Sequence, residues 1–238
     1  MKNWYKMRGL RFYLRNLFYG YNFIRPYKYQ YISKEHLRFY LNAKPIMLDC
    51  GAHDGKDSIE LVETLGGVLY AIEAVPAIFN RLVENTKSHL NIHPYNIALG
   101  NKNEKISFYV SGGNLGASSS LLKPQEHLTD HPEISFNENI LVDCFTLDKW
   151  AENNQIDKID FMWLDMQGAE KLMLEASEKI IKTVKVILCE ISTKETYVSV
   201  LIYPKFKQWM KSVGFRPEIE IIPPEYDMGD VLFVRYRK

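Results

Sequence analysis

The chain has 238 residues, of which 46% are hydrophobic and 25% charged, and its formal net charge is +1. This length and apolar content suffice for one substantial core, and the small net charge argues against a nucleic-acid partner. The three cysteines, Cys50, Cys144 and Cys189, lie in separate apolar segments, which indicates buried reduced thiols rather than a disulfide framework. With no apolar segment long enough to span a membrane, a cytoplasmic protein is expected.

The first 44 residues form a basic extension, with ten Lys and Arg against one acid, Glu35. Within residues 1–22 the large apolar side chains recur at helical spacing, and the basic ones lie elsewhere on the helical wheel. Such a helix can lie on the anionic inner face of a membrane, or pack on its own domain or on a second subunit. We therefore predict an extension over 1–44 and a domain over 45–238. Peripheral membrane contact and homo-oligomer formation both stay open.

From residue 45 onward, strand-like segments alternate with helical ones. IMLDC (46–50), GVLYAIEA (67–74) and IHPYNIALG (92–100) are separated by helical patterns over 56–65 and 76–90. IDFMWLDMQG (159–168) and VKVILCEIS (184–192) are separated by a helical pattern over 169–183, and another helical segment follows near 204–214. This alternation predicts βαβ units and a mostly parallel sheet covered on both faces. The last two strand-like segments have no helical pattern between them and are predicted to form an antiparallel hairpin.

Two further strand-like segments, KISFYVS (105–111) and NILVDCFTL (139–147), interrupt this order and are predicted to pair. Between them, residues 111–139 are rich in Gly, Ser, Pro and His, and a connection this long is usually functional or disordered. His127 and His131 have a spacing seen in metal sites, but prolines bracket them and a third ligand is not evident. We predict no metal site.

The end of the first predicted strand has the features of a nucleoside site. Ligands of a parallel sheet bind beyond the carboxyl ends of its strands, where Asp49 and Gly51 lie. Glu73 ends the second strand, and an acid there can accept hydrogen bonds from both ribose hydroxyls. The pattern D-x-G-x-x-x-G lacks one glycine of a dinucleotide-binding loop, and Asp54 and Asp57 near the helix start would repel a pyrophosphate. A cationic nucleoside such as S-adenosylmethionine fits this loop better.

At this level the sequence resembles the FkbM-like family of S-adenosylmethionine-dependent methyltransferases. The segments that carry the resemblance are LDCGAHDG, LYAIEAVP, NIALGN, GASSSL, VDCFTLDKW, IDFMWLDMQGAE, EIS and DVLFVR. The resemblance implies a class I methyltransferase, a Rossmann-like α/β fold with a seven-stranded sheet, and S-adenosyl-L-methionine as cofactor. It also implies methyl transfer to a small-molecule or glycan acceptor, at a hydroxyl of a glycan, a lipid-linked sugar or a natural product.

The resemblance also places site residues on this chain. Together with His53 in the same turn, the predicted cofactor-binding residues are Asp49, Gly51, Ala52, His53, Gly55, Glu73, Ala98, Leu99 and Asp165. Many members of the family have Lys and Glu where this chain has Trp163 and Gln167. This departure indicates a different substrate pocket.

A sugar hydroxyl is a poor nucleophile, so we expect a general base among the strand-end carboxylates. The catalytic candidates are Asp165, Glu170 and Glu190. The first two can instead serve as a helix cap and as first-turn charge compensation, and the third as a solvated strand end. The predicted substrate-binding residues are Ser119, Ser120 and Trp163. A cofactor-binding scaffold without catalysis and a nicotinamide dehydrogenase are the alternative functions.

Overall fold

The computed structural model of the protein describes residues 32–223 and 227–236. The strands are β1 (Ile46–Cys50), β2 (Val68–Ile72), β3 (Ile92–Tyr95), β4 (Ala98–Leu99), β5 (Glu104–Gly112), β6 (Ser135–Phe145), β7 (Phe161–Leu164), β8 (Val186–Ser192), β9 (Phe215–Ile221) and β10 (Met228–Arg235). The α-helices are α1 (Lys56–Leu65), α2 (Pro76–Thr86), α3 (His127–Asp130), α4 (Leu147–Asn153), α5 (Glu170–Glu175) and α6 (Tyr203–Ser212). Two 3-10 helices span Lys34–Phe39 and Ile180–Thr183.

Seven strands form the main sheet in the order β3-β2-β1-β7-β8-β10-β9. Neighbours are parallel except β10, which runs antiparallel to both β8 and β9. The predicted mostly parallel seven-stranded sheet and its C-terminal antiparallel hairpin are therefore confirmed. The chain order reverses between β1 and β7, and in such sheets the crevice beyond the carboxyl ends at this point holds the ligand.

Helices cover both faces of the sheet, because each face carries its own apolar cluster. On one face α1 contributes Leu61, and its partner in the same cluster is Met47 of β1. On the other face Trp150 of α4 and Met173 of α5 pack with Leu48, the neighbour of Met47 on β1. Successive β1 residues thus serve opposite faces, as strand geometry requires. All three cysteines are buried and free, as predicted.

A second sheet has three strands in the order β4-β6-β5. β5 and β6 pair antiparallel, which confirms the pairing predicted for 105–111 and 139–147, and β4 pairs parallel with β6. The connection between β5 and β6 contains α3 and returns to the sheet at an isolated bridge between Tyr109 and Ser120. This arrangement brings the connection to the carboxyl end of the main sheet.

The predicted continuous helix over 169–183 is wrong, since the segment divides into α5 and a 3-10 helix. Ser177 donates its hydroxyl to Met173 O at 2.8 Å, a local bond that competes with the helical ladder. Asp148 of α4 then accepts from Lys179 N and Ile180 N, each at 2.8 Å, which begins the 3-10 helix. A local hydrogen bond and a tertiary contact, neither of which periodicity reveals, therefore divide the segment.

Residues 32–44 pack on the domain, although the sequence predicted a domain boundary after residue 44. Ile32 and Leu37 belong to the same apolar cluster as Met47, and the first 3-10 helix contacts α1. The helix predicted over 1–22 lies outside the described residues, so its membrane contact stays a prediction. Within the described ranges, the structure contains no helix with the length and apolar content needed to cross a membrane.

Candidate active site

A cavity of ≈ 390 Å³ lies at the carboxyl ends of β1, β2 and β7. Its volume falls in the range typical of small-molecule sites. It is lined by most of the predicted cofactor residues and by two predicted substrate residues, namely Asp49, Gly51, Ala52, His53, Glu73, Ala98, Leu99, Asp165, Ser119 and Trp163. The strand ends thus bring together residues that lie as much as 116 positions apart, from Asp49 to Asp165.

Glycine is required where the β1–α1 loop passes β7. Gly51 has φ +88°, and a Cβ at this residue would lie 1.9 Å from the carbonyl oxygen of Asp165. The same turn is held to β2, because Gly51 N and Ala52 N both donate to Ile72 O, at 3.0 and 2.9 Å. The backbone at the cavity wall therefore has no room for any side chain at position 51.

Gly55 allows two helices to pack closely and does not line the cavity. It precedes α1 with φ +83°, and a Cβ there would lie 2.6 Å from Leu82 and 2.8 Å from Thr86 of α2. The structure places Gly55 outside the cavity lining, so its expected cofactor contact is not supported by its position. Its absent side chain lets the start of α1 approach α2.

Asp49 is a buried acid at the end of β1. Its Oδ2 accepts a 2.6 Å hydrogen bond from the hydroxyl of Ser58 on α1. Burial raises the pKa of Asp49 to about 7; the Ser58 hydrogen bond lowers it, and the charges of Asp57 and Asp165 raise it. An acid held in this state gains most from a ligand that carries positive charge.

Glu73 follows β2 and is held in place by backbone groups on both sides. Its Oε1 accepts from Val75 N at 2.8 Å and its Oε2 from His53 N at 3.1 Å. Burial raises the pKa of Glu73 to about 7, although both backbone hydrogen bonds lower it. Each carboxylate oxygen retains a lone pair, which is the requirement for accepting from two vicinal hydroxyls.

Asp165, at the end of β7, is joined to a second carboxyl group through Gln167. Gln167 Nε2 donates to Asp165 Oδ1 at 2.8 Å and to Glu190 Oε2 at 2.7 Å. Desolvation raises the pKa of both acids, and the pKa of Glu190 also rises because of the charges of Asp165 and Glu170. Asp165 and Gln167 line the cavity, whereas Glu190 lies outside the lining.

Glu170 lies in the first turn of α5, where the sequence analysis offered a structural role as the alternative to catalysis. It is buried, lies outside the cavity lining, and its Oε1 accepts from Met166 N at 2.9 Å and Gly168 N at 3.2 Å. These hydrogen bonds fix the turn before α5. The geometry therefore supports a helix-start role for Glu170 and offers nothing for its expected catalytic role. Asp165 does not cap α5, whose N-cap residue is Ala169.

The two predicted substrate serines have different surroundings. Ser119 lines the cavity, and its Oγ accepts from Ser111 N at 3.0 Å. Ser120 is fully buried, donates its hydroxyl to Gln167 O at 2.8 Å and accepts from Leu122 N at 2.9 Å. The hydroxyl of Ser120 is thus used inside the protein, and the expected contact with an acceptor is not supported by its position.

Sequence reasoning missed two apolar residues that line the cavity. Phe108 of β5 and Leu121 of the β5–β6 connection line it, together with Gly116. The connection is held over the β1–α1 loop, because Leu115 O accepts from Arg81 at 3.2 Å and lies 3.2 Å from His53 Nε2. The alternation of β5 could have identified Phe108 as inward-facing, and Leu121 belongs to GASSSL, the segment in which Ser119 and Ser120 were already predicted to bind substrate.

Sequence reasoning also missed Lys34. Its side chain is buried, and its Nζ lies 2.7 Å from Asp57 and 2.6 Å from Glu60 of α1. The same ammonium lies 4.7 Å from the ring centroid of Trp163, which lines the cavity from β7. Desolvation lowers the pKa of Lys34, but the two carboxylates outweigh it and raise the pKa. The residue thus fixes the ring that forms one wall.

The residues around the cavity fit S-adenosylmethionine. Desolvated acids suit its sulfonium and ammonium groups, Glu73 suits its ribose, and the apolar wall around Leu99 and Phe108 suits its adenine. Asp54 and Asp57 also line the cavity, and their charges oppose a pyrophosphate. In the part of the chain that the structure describes, no group of three or more His, Cys, Asp or Glu could hold a metal ion.

The chain is similar to known proteins in sequence and in structure. The 2-O-methyltransferase NoeI of Sinorhizobium fredii is 28% identical over 159 residues, which are 64% of this chain and 65% of the relative. The chain thus spans just under two thirds of that relative's length. Among solved structures, fibrillarin of Methanococcus jannaschii has a TM-score of 0.48 at 15% identity, covering 91% of this chain and 86% of its own. Magnesium protoporphyrin IX methyltransferase of Synechocystis has a TM-score of 0.48 at 12% identity, covering 82% and 71%.

The family model described as the methyltransferase FkbM domain matches residues 49–217, which is well over half of the chain. The match includes the β1–α1 loop, Glu73, Asp165 and Glu190. The chain therefore belongs to the FkbM family of S-adenosylmethionine-dependent methyltransferases.

Proposed function

We propose that the protein is an O-methyltransferase that acts on a hydroxyl of a sugar, a lipid-linked sugar or a related natural product. The observation that carries this proposal is Asp165 in the cavity lining, with its carboxyl group accepting a 2.8 Å hydrogen bond from the amide of Gln167. A base at that position is needed for a weakly acidic hydroxyl, whereas an amine or a thiolate needs less help. The name of the relative from Sinorhizobium fredii, a 2-O-methyltransferase, also supports oxygen as the accepting atom.

In this proposal each of three acids has a separate role. Among the described residues, the hydrogen bonds of Asp49 use only Oδ2, which leaves Oδ1 for the ammonium of the cofactor. Glu73 accepts from the ribose hydroxyls. Asp165 accepts the proton of the acceptor hydroxyl as its oxygen forms the new bond to carbon. S-adenosylmethionine supplies a methyl group on a sulfonium, which departs as a neutral thioether.

The charge of the cavity supports an acceptor that is neutral or cationic. Its lining contains Asp49, Asp54, Asp57, Glu73 and Asp165 against the single lysine Lys56. Binding an anion there would add like charge to desolvated acids. The half-buried ring of Trp163 and the edge of Ser119 provide an apolar face and a polar rim, which suits a pyranose. Membrane contact through residues 1–22 remains part of the proposal for a lipid-linked acceptor.

The test is mass spectrometry of candidate acceptors after incubation with methyl-labelled S-adenosylmethionine. The panel contains neutral sugars, amino sugars, uronic acids and catechols, and NAD is titrated in parallel. We expect label on a hydroxyl of a neutral or amino sugar. Asp165→Asn should lower transfer by about 100-fold or more, as loss of a general base does, while the affinity for S-adenosylhomocysteine changes little.

The matched control is Asp160→Asn, since Asp160 lies before β7 and pairs with Lys185 away from the cavity. Equal losses of transfer and of cofactor affinity in Asp165→Asn would assign Asp165 to the cofactor. Cofactor binding without transfer to any member of a broad panel would favour the scaffold alternative, and tight binding of NAD alone would reject the proposal.

A further inference from the structure

We propose that Gln167 is a positioning residue that joins Asp165 and Glu190 into a pair sharing one proton, with Asp165 as the ionised member at the cavity wall. The inference rests on the proposed function, because it explains how Asp165 can act as a base. In this proposal Gln167 takes up no proton itself. Its role is to set the protonation of the two carboxyl groups.

The first support is the geometry of the amide. Its single NH₂ group has two hydrogens, and the distances of 2.8 Å to Asp165 and 2.7 Å to Glu190 assign one to each carboxyl group. On the other side, Gln167 Oε1 lies 3.1 Å from the hydroxyl of Tyr197. That hydroxyl is also 2.8 Å from Ser118 O, so its one hydrogen is shared between two acceptors. The amide orientation follows from having a donor on one side and acids on the other.

The second support is the strained backbone of Gln167. The residue has φ +51°, a left-handed conformation that favours glycine, and it is followed by Gly168 with φ +93°. Its carbonyl oxygen is held by the buried hydroxyl of Ser120. A non-glycine residue keeps such a conformation only where its surroundings fix it, and such positions cluster at functional sites. Here the fixed backbone directs a buried amide toward Asp165, which lines the cavity, and toward Glu190, which lies outside the lining.

The third support is the charge around the pair. The titratable groups that face it are Asp49 from β1, Glu73 after β2, His53 from the β1–α1 loop, Asp57 from α1, Glu170 from α5, Cys189 from β8, Tyr197 before α6 and Asp230 from β10. Most are acids, so two further ionised carboxyl groups side by side would be costly and one retained proton is expected. Glu190, whose pKa is raised well above its usual value, keeps that proton.

The proton balance of the reaction then closes within the pair. Before transfer, Glu190 is neutral and Asp165 ionised. During transfer, the O–H bond of the acceptor breaks and its proton goes to Asp165, while the oxygen electron pair forms the O–C bond and the C–S electron pair stays on sulfur. After transfer both carboxyl groups are neutral, which is the favoured state for desolvated acids. A Glu at position 167 would add a third ionisable carboxyl group to this arrangement.

The test compares Gln167→Met with Gln155→Met. Methionine keeps the length of the side chain and removes both N–H donors. Gln155 is an exposed glutamine that also has a positive φ, +57°, so it controls for replacing glutamine in this conformation. Loss of hydrogen bonds to an ionised Asp165 should move the acid limb of kcat/KM to higher pH by about one unit, and Gln155→Met should leave it in place.

The second readout does not depend on the acceptor. Carboxyl ¹³C shifts of protein labelled at Asp and Glu, assigned with Asp165→Asn and Glu190→Gln, follow both protons directly. We expect the wild-type pair to retain one proton at pH 7 and the Asp165 titration to shift upward in Gln167→Met. If that variant does not fold, Tyr197→Phe removes the hydroxyl contact to Gln167 and should cause a smaller shift in the same direction.

The outcomes separate the two proposals. An unchanged titration of Asp165 and an unchanged pH profile in folded Gln167→Met would overturn the role of Gln167. The expected titration shift without methyl transfer to any hydroxyl would support the role of Gln167 in the pair and count against the proposed function. Two ionised carboxyl groups in the wild-type protein at pH 7 would reject the shared proton.

Discussion

Single residues at this site are fixed by contacts that remove their freedom before any ligand arrives. Glu73 receives a backbone N–H on each oxygen, and Asp49 receives the Ser58 hydroxyl. Preformed acceptors of this kind cost little reorganisation when a ligand binds, since the side chains are already held. The same contacts make these residues sensitive to substitution, because a replacement must satisfy the protein donors as well as the ligand.

At Glu73 we expect Glu73→Gln to raise the dissociation constant for S-adenosylmethionine by about 10- to 100-fold, the range for a hydrogen bond to a charged group. A modest loss of stability should accompany it, because an amide oxygen can accept from only one of Val75 N and His53 N. Isothermal titration well below the melting temperature measures the affinity. Glu104→Gln, at an exposed pair with Lys102, is the control. Unchanged affinity in folded Glu73→Gln would remove Glu73 from the ribose site.

At the scale of elements, the site depends on a segment that precedes the βαβ order. The 3-10 helix Lys34–Phe39 packs on α1 and carries Lys34 to two acids and to Trp163. Because α1 follows the cofactor loop and Trp163 lies on β7, this lysine connects two elements on either side of the switch point. The segment over 34–39 thus supports the wall of the cavity from behind.

We expect Lys34→Met to lower the free energy of unfolding by about 1–2 kcal/mol, because two ion pairs and a cation–π contact are lost at a buried position. The carboxylates of Asp57 and Glu60 are half-exposed and can be resolvated, which limits the loss. Lys105→Met, which breaks an exposed pair with Asp143, should change stability by less than about 0.5 kcal/mol. Urea denaturation of both variants measures the difference, and equal values would show that Lys34 acts as an ordinary surface lysine.

For the whole molecule, the sequence predicted the sheet and most of the strand ends. It did not predict the contacts that decide which acids face the cavity and which bind backbone groups. Alternating patterns and glycine positions are local, so they identified β1, β7 and the hairpin and placed Asp49, Glu73 and Asp165 at one edge. Whether a carboxylate faces a cavity or a backbone N–H is decided by packing between distant segments. This is why Glu170 and Ser120 were expected at the acceptor and are instead used inside the protein.

The same buried acids predict how the stability of the ligand-free protein depends on pH. The folded pKa of Asp49 and of Glu73 is about 7, above the values of 3.8 and 4.5 expected when unfolded. Between these limits the folded state binds more protons, so the free energy of unfolding should fall as pH rises from about 4.5 to 7, by up to about 1.4 kcal/mol per pH unit for each acid. Asp160, whose pKa is lowered, contributes the opposite slope only below about pH 4.

A cationic ligand favours the ionised acids, so the affinity for S-adenosylmethionine should rise over the same interval. The rise in melting temperature caused by a fixed excess of ligand should therefore be larger at pH 8 than at pH 5.5. Asp49→Asn removes one of the buried acids whose pKa is raised and should flatten both the stability profile and the ligand effect. Melting curves of the two proteins from pH 5 to 8, with and without ligand, measure this. The opposite result would be a ligand-free wild-type protein whose stability increases from pH 5 to 7.5. It would show that Asp49 and Glu73 are already ionised at pH 5 without a cationic ligand.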